Sequence, residues 1–223
     1  MCADENVDYD SLESLCHFLI EKGINGLYPN GTTGEVIYLT ADERKKILEH
    51  VVKAAAGRAV VFSMVGAATT AETIELAQHA EKAGADGITT YYHKLSDDQL
   101  FAHYKKVSES VASDFPIYLY AIPQLAANDI SVSLAERIAS ECPNVIGIKY
   151  SYPDMPRMLK FLNVRGGDFS VVTGPDDLFY CLLASGGTAR SLATPTSSRS
   201  AMPPCTARSS AGTTSPRQSC RTV

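Results

Sequence analysis

Residues 116–151 read PIYLYAIPQLAANDISVSLAERIASECPNVIGIKYS, and this stretch decides the fold class. Two short runs rich in β-branched and aromatic residues, 116–123 and 145–151, are typical of buried strands. The segment between them contains Ser133 followed by Glu136, a capping-box pair that predicts the start of a helix. Strand, helix and strand in this order predict two parallel strands joined by a crossover helix.

The same alternation of strands and helices extends along the chain up to about residue 187. Six strands are predicted, each bounded by Gly or Pro, at 26–31, 59–66, 87–92, 116–123, 145–151 and 169–176. Helices with apolar spacing of three and four lie between them, and two of these open with capping boxes at Thr40 and Ser96. The pattern leaves two architectures, a doubly wound parallel sheet or a (β/α)8 barrel. A G-x-G-x-x-G turn is absent, which excludes only a dinucleotide-binding doubly wound sheet.

The composition predicts a soluble, cytoplasmic protein with an uneven charge. The chain has 223 residues, of which 45% are apolar and 20% are charged, and its net charge is −5. Residues 1–187 carry a net −10, whereas residues 188–223 carry five arginines, 15 serines and threonines and no acid. Apolar runs are far shorter than the roughly 20 residues of a membrane helix, and the acidic N-terminus is unlike a signal peptide, so no membrane partner is expected. Six scattered cysteines without a C-x-x-C pair predict neither disulfides nor a metal site.

Polar side chains follow several of the predicted strands, where the active face of a barrel lies. Strand 26–31 runs into a turn with two hydroxyls, Thr32 and Thr33, bracketed by glycines. Such a turn suits a carboxylate or phosphate, and it is also compatible with an ordinary βα turn. Tyr120 lies near the carboxyl end of strand 116–123, where it either relays protons or packs as a buried aromatic ring.

Lys149 is the most informative of these residues. It lies between apolar residues of a strand that should be buried on both faces, where an unpaired ammonium is costly. Such a lysine has a carboxylate partner, extends to solvent from the strand end, or loses its proton because burial lowers its pKa. In the last case the neutral amine can attack a carbonyl and form a Schiff base.

Four motifs occur in order and with compatible spacing between residues 7 and 187: Gly31-Thr32-Thr33-Gly34-Glu35, Tyr91-Tyr92, Tyr120-Ala121-Ile122-Pro123 and Gly147-Ile148-Lys149. Together they resemble the dihydrodipicolinate synthase and N-acetylneuraminate lyase family of class I pyruvate-dependent aldolases. The resemblance implies an α/β fold of the (β/α)8 TIM-barrel type, assembled as a homotetramer or another homo-oligomer. It also implies a lyase that acts on pyruvate together with an aldehyde or a sugar acid.

The resemblance implies a role for each matching residue. Lys149 matches the lysine that forms a covalent imine with pyruvate, so neither a cofactor nor a metal is expected. Tyr120 matches the tyrosine that relays protons, and Thr32 and Thr33 match the pair that binds the pyruvate carboxylate. Tyr92 resembles a tyrosine that crosses a dimer interface and completes the neighbouring subunit's site.

Departures from the family pattern bear on the second substrate. Synthases of the family carry an arginine two residues after the Y-x-x-P motif, where it binds the carboxylate of a semialdehyde, and here this position is Leu125. Ser151 is suited to bind a substrate hydroxyl, and Gly174, Asp176 and Asp177 resemble a turn that contacts the hydroxyls of a sugar acid. We therefore expect a 2-keto sugar-acid aldolase similar to N-acetylneuraminate lyase. The alternative is 4-hydroxy-tetrahydrodipicolinate (dihydrodipicolinate) synthase.

Both ends of the chain depart from the family. The first barrel strand, which ends in T-P-F in the family, has no counterpart, and after Gly187 the expected D-G-x-I-S of the eighth strand is replaced by TARSLATPTS. We therefore predict an incomplete barrel over residues 1–187, without its first and eighth strands, and a disordered tail over residues 188–223. We hypothesise a frameshift near Gly187. A catalytically silent fragment is a second alternative, whereas a nucleic-acid-binding arm is disfavoured because the tail has no lysine and no aromatic residue.

Overall fold

The computed structural model describes residues 6–90, 95–126, 128–191 and 221–222. The helices in these ranges are α1 Tyr9–Glu21, α2 Ala41–Ala55, α3 Thr70–Lys82, α4 Asp97–Glu109, α5 Pro123–Ala126, α6 Val132–Glu141, α7 Met155–Phe161 and α8 Phe179–Ala184. Single turns of 3-10 helix lie at Val36–Tyr38, Val164–Gly167 and Asp176–Leu178. None of the described helices is long and apolar enough to span a membrane.

The strands form one parallel sheet in the order in which they occur along the chain. They are β1 Gly26–Leu27, β2 Val60–Met64, β3 Gly87–Thr90, β4 Ile117–Ala121, β5 Val145–Tyr150, β6 Ser170–Thr173, β7 Ala189–Arg190 and β8 Arg221–Thr222. All six predicted strands are present as β1 to β6, and helices separate them, so the predicted incomplete (β/α)8 barrel is confirmed. Among the described residues no pairing joins β8 back to β1, and the sheet is therefore open.

Two strands of two residues each, β7 and β8, extend the sheet beyond β6, in a region where the sequence predicts no strand. Main-chain bonds from Thr188 N to the Val171 carbonyl (3.1 Å) and from Ser191 N to the Thr173 carbonyl (3.0 Å) hold β7 against β6. Backbone pairing of this kind needs no particular side chains, and it satisfies carbonyl groups that otherwise lie at an open edge. The disordered tail is predicted over residues 188–223, and within it residues 189–190 and 221–222 instead form the short strands β7 and β8. Residues 192–220 and 223 lie outside the described residues, so the prediction is not tested there.

Two of the three predicted helix caps are confirmed, and the third is wrong. Thr40 caps α2 and Ser96 caps α4, each within a reciprocal capping box. Helix α6 instead begins two residues earlier than predicted, since the Ser131 hydroxyl accepts the hydrogen bond from Leu134 N at 3.1 Å. Ser133 consequently lies inside the first turn of α6.

Alternate residues of β4 face two different environments. Ile117 and Leu119 are fully buried in the main hydrophobic core, which lies between the sheet and the helices. Tyr118 faces the interior of the barrel, where its hydroxyl donates to Ser170 Oγ at 2.8 Å and its ring packs edge-on against Phe62, with centroids 5.3 Å apart. These side chains fill the interior at the amino-terminal side of the sheet, so the open space lies at the carboxyl ends of the strands.

The cap of α6 can be tested by matched substitutions two residues apart. We expect Ser131→Ala to lower the free energy of unfolding by about 1 kcal/mol, because Leu134 N then loses its side-chain acceptor. Ser133→Ala should change it by less than about 0.5 kcal/mol, since the Ser133 hydroxyl caps no helix amide and only shares an exposed 3.1 Å hydrogen bond with the Ser131 hydroxyl. Urea denaturation of the two variants measures both values, and a larger loss for Ser133→Ala would place the cap at Ser133 after all.

Candidate active site

A cavity of about 700 Å³ opens at the carboxyl ends of the strands. Its lining includes six residues that the sequence places in a site: Thr32, Thr33, Tyr120, Lys149, Ser151 and Gly174. They come from the turn after β1 and from the ends of β4, β5 and β6. The structure therefore brings together residues that are up to 142 positions apart in the chain.

Lys149 lies on β5 directly opposite Tyr120 of β4, so both side chains enter the cavity from neighbouring strands. The lysine is 8% exposed, and burial lowers its pKa from 10.5 to about 7. No carboxylate of the described chain forms an ion pair with it. Of the possibilities that the sequence leaves open, the carboxylate partner does not occur among the described residues, and the low exposure of the side chain excludes its extension to solvent. A substantial fraction of Lys149 is therefore a neutral, nucleophilic amine near pH 7.

Two aromatic rings flank the amine. Lys149 Nζ lies 4.1 Å from the centroid of the Tyr28 ring and 4.3 Å from that of Tyr120. The two rings are perpendicular, with centroids 6.5 Å apart. Tyr28 is not among the predicted site residues, although it lies in the predicted strand 26–31, three residues before Gly31. Its position at a strand end was the signal that could have identified it.

The turn after β1 is held in an unusual backbone conformation. Asn30 and Glu35 both have positive φ, 60° and 59°, and Glu35 N donates to the Thr32 carbonyl at 3.1 Å. Asn30 is buried and its side-chain amide donates to the carbonyl of Arg44 at 3.0 Å, which fastens the turn to α2. Thr32 Oγ1 lies 3.4 Å from the Tyr120 hydroxyl. The turn thus presents a hydroxyl next to the phenol that faces Lys149.

The opposite wall of the cavity follows β5 and β6. Gln124 Nε2 donates to the Ser151 carbonyl at 2.7 Å, and a Cβ at position 174 would collide with Ser151 Oγ, so Gly174 is required for this close approach. Leu125, at the position of the synthase arginine, is 59% exposed and lines the cavity.

The remaining predicted site residues do not line this cavity or cannot be placed. Asp176 and Asp177 begin the 3-10 helix that follows β6 and are not among the cavity-lining residues. Tyr92 lies outside the described residues. The roles assigned to these three residues stay predictions.

The cavity combines one basic side chain with neutral hydrogen-bonding groups. Among the described residues that line it, Lys149 has the only formally charged side chain. Hydroxyls of Thr32, Thr33 and Ser151 supply neutral hydrogen-bonding groups. Leu15 and Leu19 of α1 form part of an apolar wall that sequence reasoning did not identify, because their spacing indicates only an amphipathic helix. No group of three or more histidine, cysteine or acidic side chains in the described ranges is arranged to hold a metal ion.

The fold and the site define an open parallel α/β barrel with a buried lysine at the carboxyl end of a strand. The chain matches the model of the dihydrodipicolinate synthetase family over residues 1–214. It is 38% identical over 183 residues to 4-hydroxy-tetrahydrodipicolinate synthase from Aquifex aeolicus, an alignment that covers 81% of this chain and 62% of that protein.

Solved structures agree with this match. The structure of YagE from E. coli K12 in complex with pyruvate superposes with a TM-score of 0.82 at 33% identity, covering 87% of this chain and 67% of that one. A catalytic-lysine mutant of sialic acid aldolase from Ruminococcus gnavus gives a TM-score of 0.81 at 29% identity, covering 86% and 64%. The chain belongs to the dihydrodipicolinate synthetase family, whose members are lyases. It spans 62% of the length of the Aquifex relative.

The lowered pKa of Lys149 predicts a pH-dependent contribution to stability. Below about pH 7 the lysine is protonated in both the folded and the unfolded chain, whereas between about pH 7 and 10.5 only the unfolded chain binds the proton. The free energy of unfolding of the wild type, relative to Lys149→Met, should therefore rise with pH in this window, by up to roughly 1.4 kcal/mol per pH unit. Urea denaturation of both proteins at pH 6 and pH 9 tests this, and a difference that is independent of pH would contradict it.

Proposed function

We propose that this protein forms a Schiff base between Lys149 and pyruvate and acts as a class I aldolase-type lyase. The observation that carries the proposal is the burial of Lys149 Nζ, without a described carboxylate partner, in a cavity whose other polar groups are neutral. Burial supplies the unprotonated amine, and the cavity supplies hydroxyl donors for a carboxylate. The match to a family of lyases supports the same chemistry.

The proposed reaction begins with attack of the neutral Lys149 amine on the keto carbon of pyruvate. The carbonyl oxygen takes up a proton, the nitrogen loses one, and the carbinolamine then expels water to give a protonated imine. Loss of a proton from C3 places the electron pair in an enamine. The enamine carbon attacks an aldehyde, and water hydrolyses the resulting imine to release the product and the free amine. Cleavage of a 2-keto acid runs through the same steps in reverse.

Tyr120 and the turn after β1 are proposed to move protons and to hold the substrate. The Tyr120 ring lies 4.3 Å from Lys149 Nζ, and its hydroxyl lies 3.4 Å from Thr32 Oγ1. The phenol can therefore carry a proton between the reacting oxygen and the threonine hydroxyl. Thr32 and Thr33 are proposed to bind the pyruvate carboxylate, with Thr32 half-buried and Thr33 exposed at the mouth.

The Schiff base can be trapped directly. Incubation with pyruvate and borohydride should add the mass of one reduced pyruvate to the Lys149 peptide, as measured by mass spectrometry. Lys149→Met should abolish the label, whereas Lys160→Met, which removes an exposed lysine of α7, should leave it unchanged. A wild-type protein that acquires no label would contradict the proposal and support the alternative of a catalytically silent fragment.

Two observations bear on the second substrate, and they favour different reactions. The Aquifex relative is named 4-hydroxy-tetrahydrodipicolinate synthase, and the sialic acid aldolase is a more distant neighbour at 29% identity. The relatives thus favour the synthase, the alternative of the sequence analysis, over the 2-keto sugar-acid aldolase. Leu125 favours the sugar-acid reaction, because an apolar side chain cannot pair with the carboxylate of a semialdehyde.

Replacing Leu125 by the arginine of the synthases distinguishes these two reactions. We expect Leu125→Arg to raise kcat/KM for a carboxylated semialdehyde about tenfold or more, since a charge-assisted hydrogen bond contributes roughly 1.5–3 kcal/mol. Leu159→Arg is the matched control, because Leu159 lies on α7 and is not among the cavity-lining residues. Coupled assays with a panel of aldehydes and sugar acids measure both variants. If kcat/KM for the semialdehyde rises equally in both variants, or in neither, position 125 does not contact the carboxylate of the second substrate.

The proposed assembly is a homo-oligomer in which Tyr92 completes the site of a neighbouring subunit. This element of the proposal rests on the family resemblance of the Tyr91-Tyr92 motif, and it adds a second phenol to the proton relay.

A further inference from the structure

Tyr28 is the aromatic residue of the cavity to which neither the family resemblance nor the proposed reaction assigns a role. It follows β1, lines the cavity and places its ring centroid 4.1 Å from Lys149 Nζ. A tyrosine face carries negative potential, so a positively charged nitrogen at this distance is attracted to it. The ring of Tyr120 faces the same nitrogen from a perpendicular direction. No carboxylate of the described residues pairs with Lys149, so the negative potential of these two ring faces takes the place of a counter-ion.

The position of the Tyr28 ring is fixed from two sides. Its hydroxyl shares a short hydrogen bond with Thr89 Oγ1, a side chain that is 3% exposed. Thr89 belongs to β3, so the bond crosses over β2 inside the barrel. On the other side, a Cβ at Gly31 would lie 2.7 Å from Tyr28 Cε1. The first glycine of the site turn therefore leaves the space that the ring occupies.

We propose that Tyr28 is a positioning residue, whose ring is held by Thr89 against Lys149 Nζ and stabilises positive charge on this nitrogen. The same nitrogen carries the charge of the ammonium and, after attack on pyruvate, that of the protonated imine. The ring lies against it in both forms, whereas the neutral carbinolamine gains nothing from the contact. The catalytic consequence rests on the proposed function, but the effect on the free amine does not.

The effect on the amine is measured without pyruvate, by the rate at which acetic anhydride modifies Lys149 across a range of pH. Peptide mass spectrometry gives the midpoint of the reactive form. Tyr28→Leu should lower this midpoint by roughly half to one pH unit, because the ammonium loses the aromatic face. Tyr118→Leu is the matched control, since it removes another half-buried tyrosine from the barrel interior, near the opposite end of β4, and should leave the midpoint unchanged. A midpoint for Tyr28→Leu that is unchanged or raised would overturn the inference.

The role of the Thr89 bond is measured by the rate of pyruvate trapping with borohydride at pH 9, where the free Lys149 amine is neutral and only the protonated imine gains from the ring. Tyr28→Phe and Thr89→Val keep the ring and remove the hydrogen bond, so each should slow trapping about threefold. The double variant should be no slower than either single variant, because all three lose the same interaction. Tyr28→Leu should be slowed roughly tenfold. Multiplicative effects of Tyr28→Phe and Thr89→Val would overturn the proposed pinning of the ring.

The two measurements separate this inference from the proposed function. If the wild type is not trapped by pyruvate but the midpoint shifts in Tyr28→Leu, the Schiff-base proposal fails and the placement of the ring against the amine stands. If the wild type is trapped and the midpoint does not shift, the Schiff-base proposal stands and the role of Tyr28 is refuted.

Discussion

The burial of Lys149 without an opposing carboxylate in the described chain is the interaction on which the site depends. Burial destabilises the ammonium and lowers the pKa of the lysine to about 7. The lysine stays buried despite this cost, because its strand β5 is hydrogen-bonded to β4 on one side and to β6 on the other. A flexible segment could turn the same side chain to water. The rigidity of a parallel sheet is therefore what keeps the amine reactive.

The surroundings of the amine follow from strand register. Tyr120 of β4 is paired directly with Lys149 of β5, so the proposed proton-relay tyrosine lies beside the lysine without the need for a specialised loop. The turn after β1 approaches from the other side, anchored by buried Asn30. Side chains at the amino-terminal side of the sheet, such as Tyr118, fill the interior and leave the cavity at the carboxyl ends. Position in the sheet thus separates the residues that support the barrel from those that face the cavity.

The periodic features of the sequence predicted most of this arrangement. Six strands, two helix caps and the convergence of Thr32, Tyr120 and Lys149 follow from local pattern, because parallel strands place their carboxyl ends together. The contact of Tyr28 with Lys149 depends on the angle at which the chain leaves β1, which no local pattern encodes. The short strands β7 and β8 are set by main-chain pairing with β6 and with each other, to which side-chain composition is a poor guide. The start of α6 was wrong by two residues because Ser131 and Ser133 are equally good caps by residue type.

The reactivity of Lys149 depends on how far the cavity excludes water from the amine, because desolvation is what lowers the pKa of the lysine. The protonation state of Lys149 reports this exclusion. An NMR titration of the protein labelled with 13C at the lysine ε-carbon, assigned with Lys149→Met, measures it most directly. The Lys149 signal should titrate with a midpoint near 7. A midpoint above 10, as for a solvated lysine, would show that burial does not hold this amine neutral.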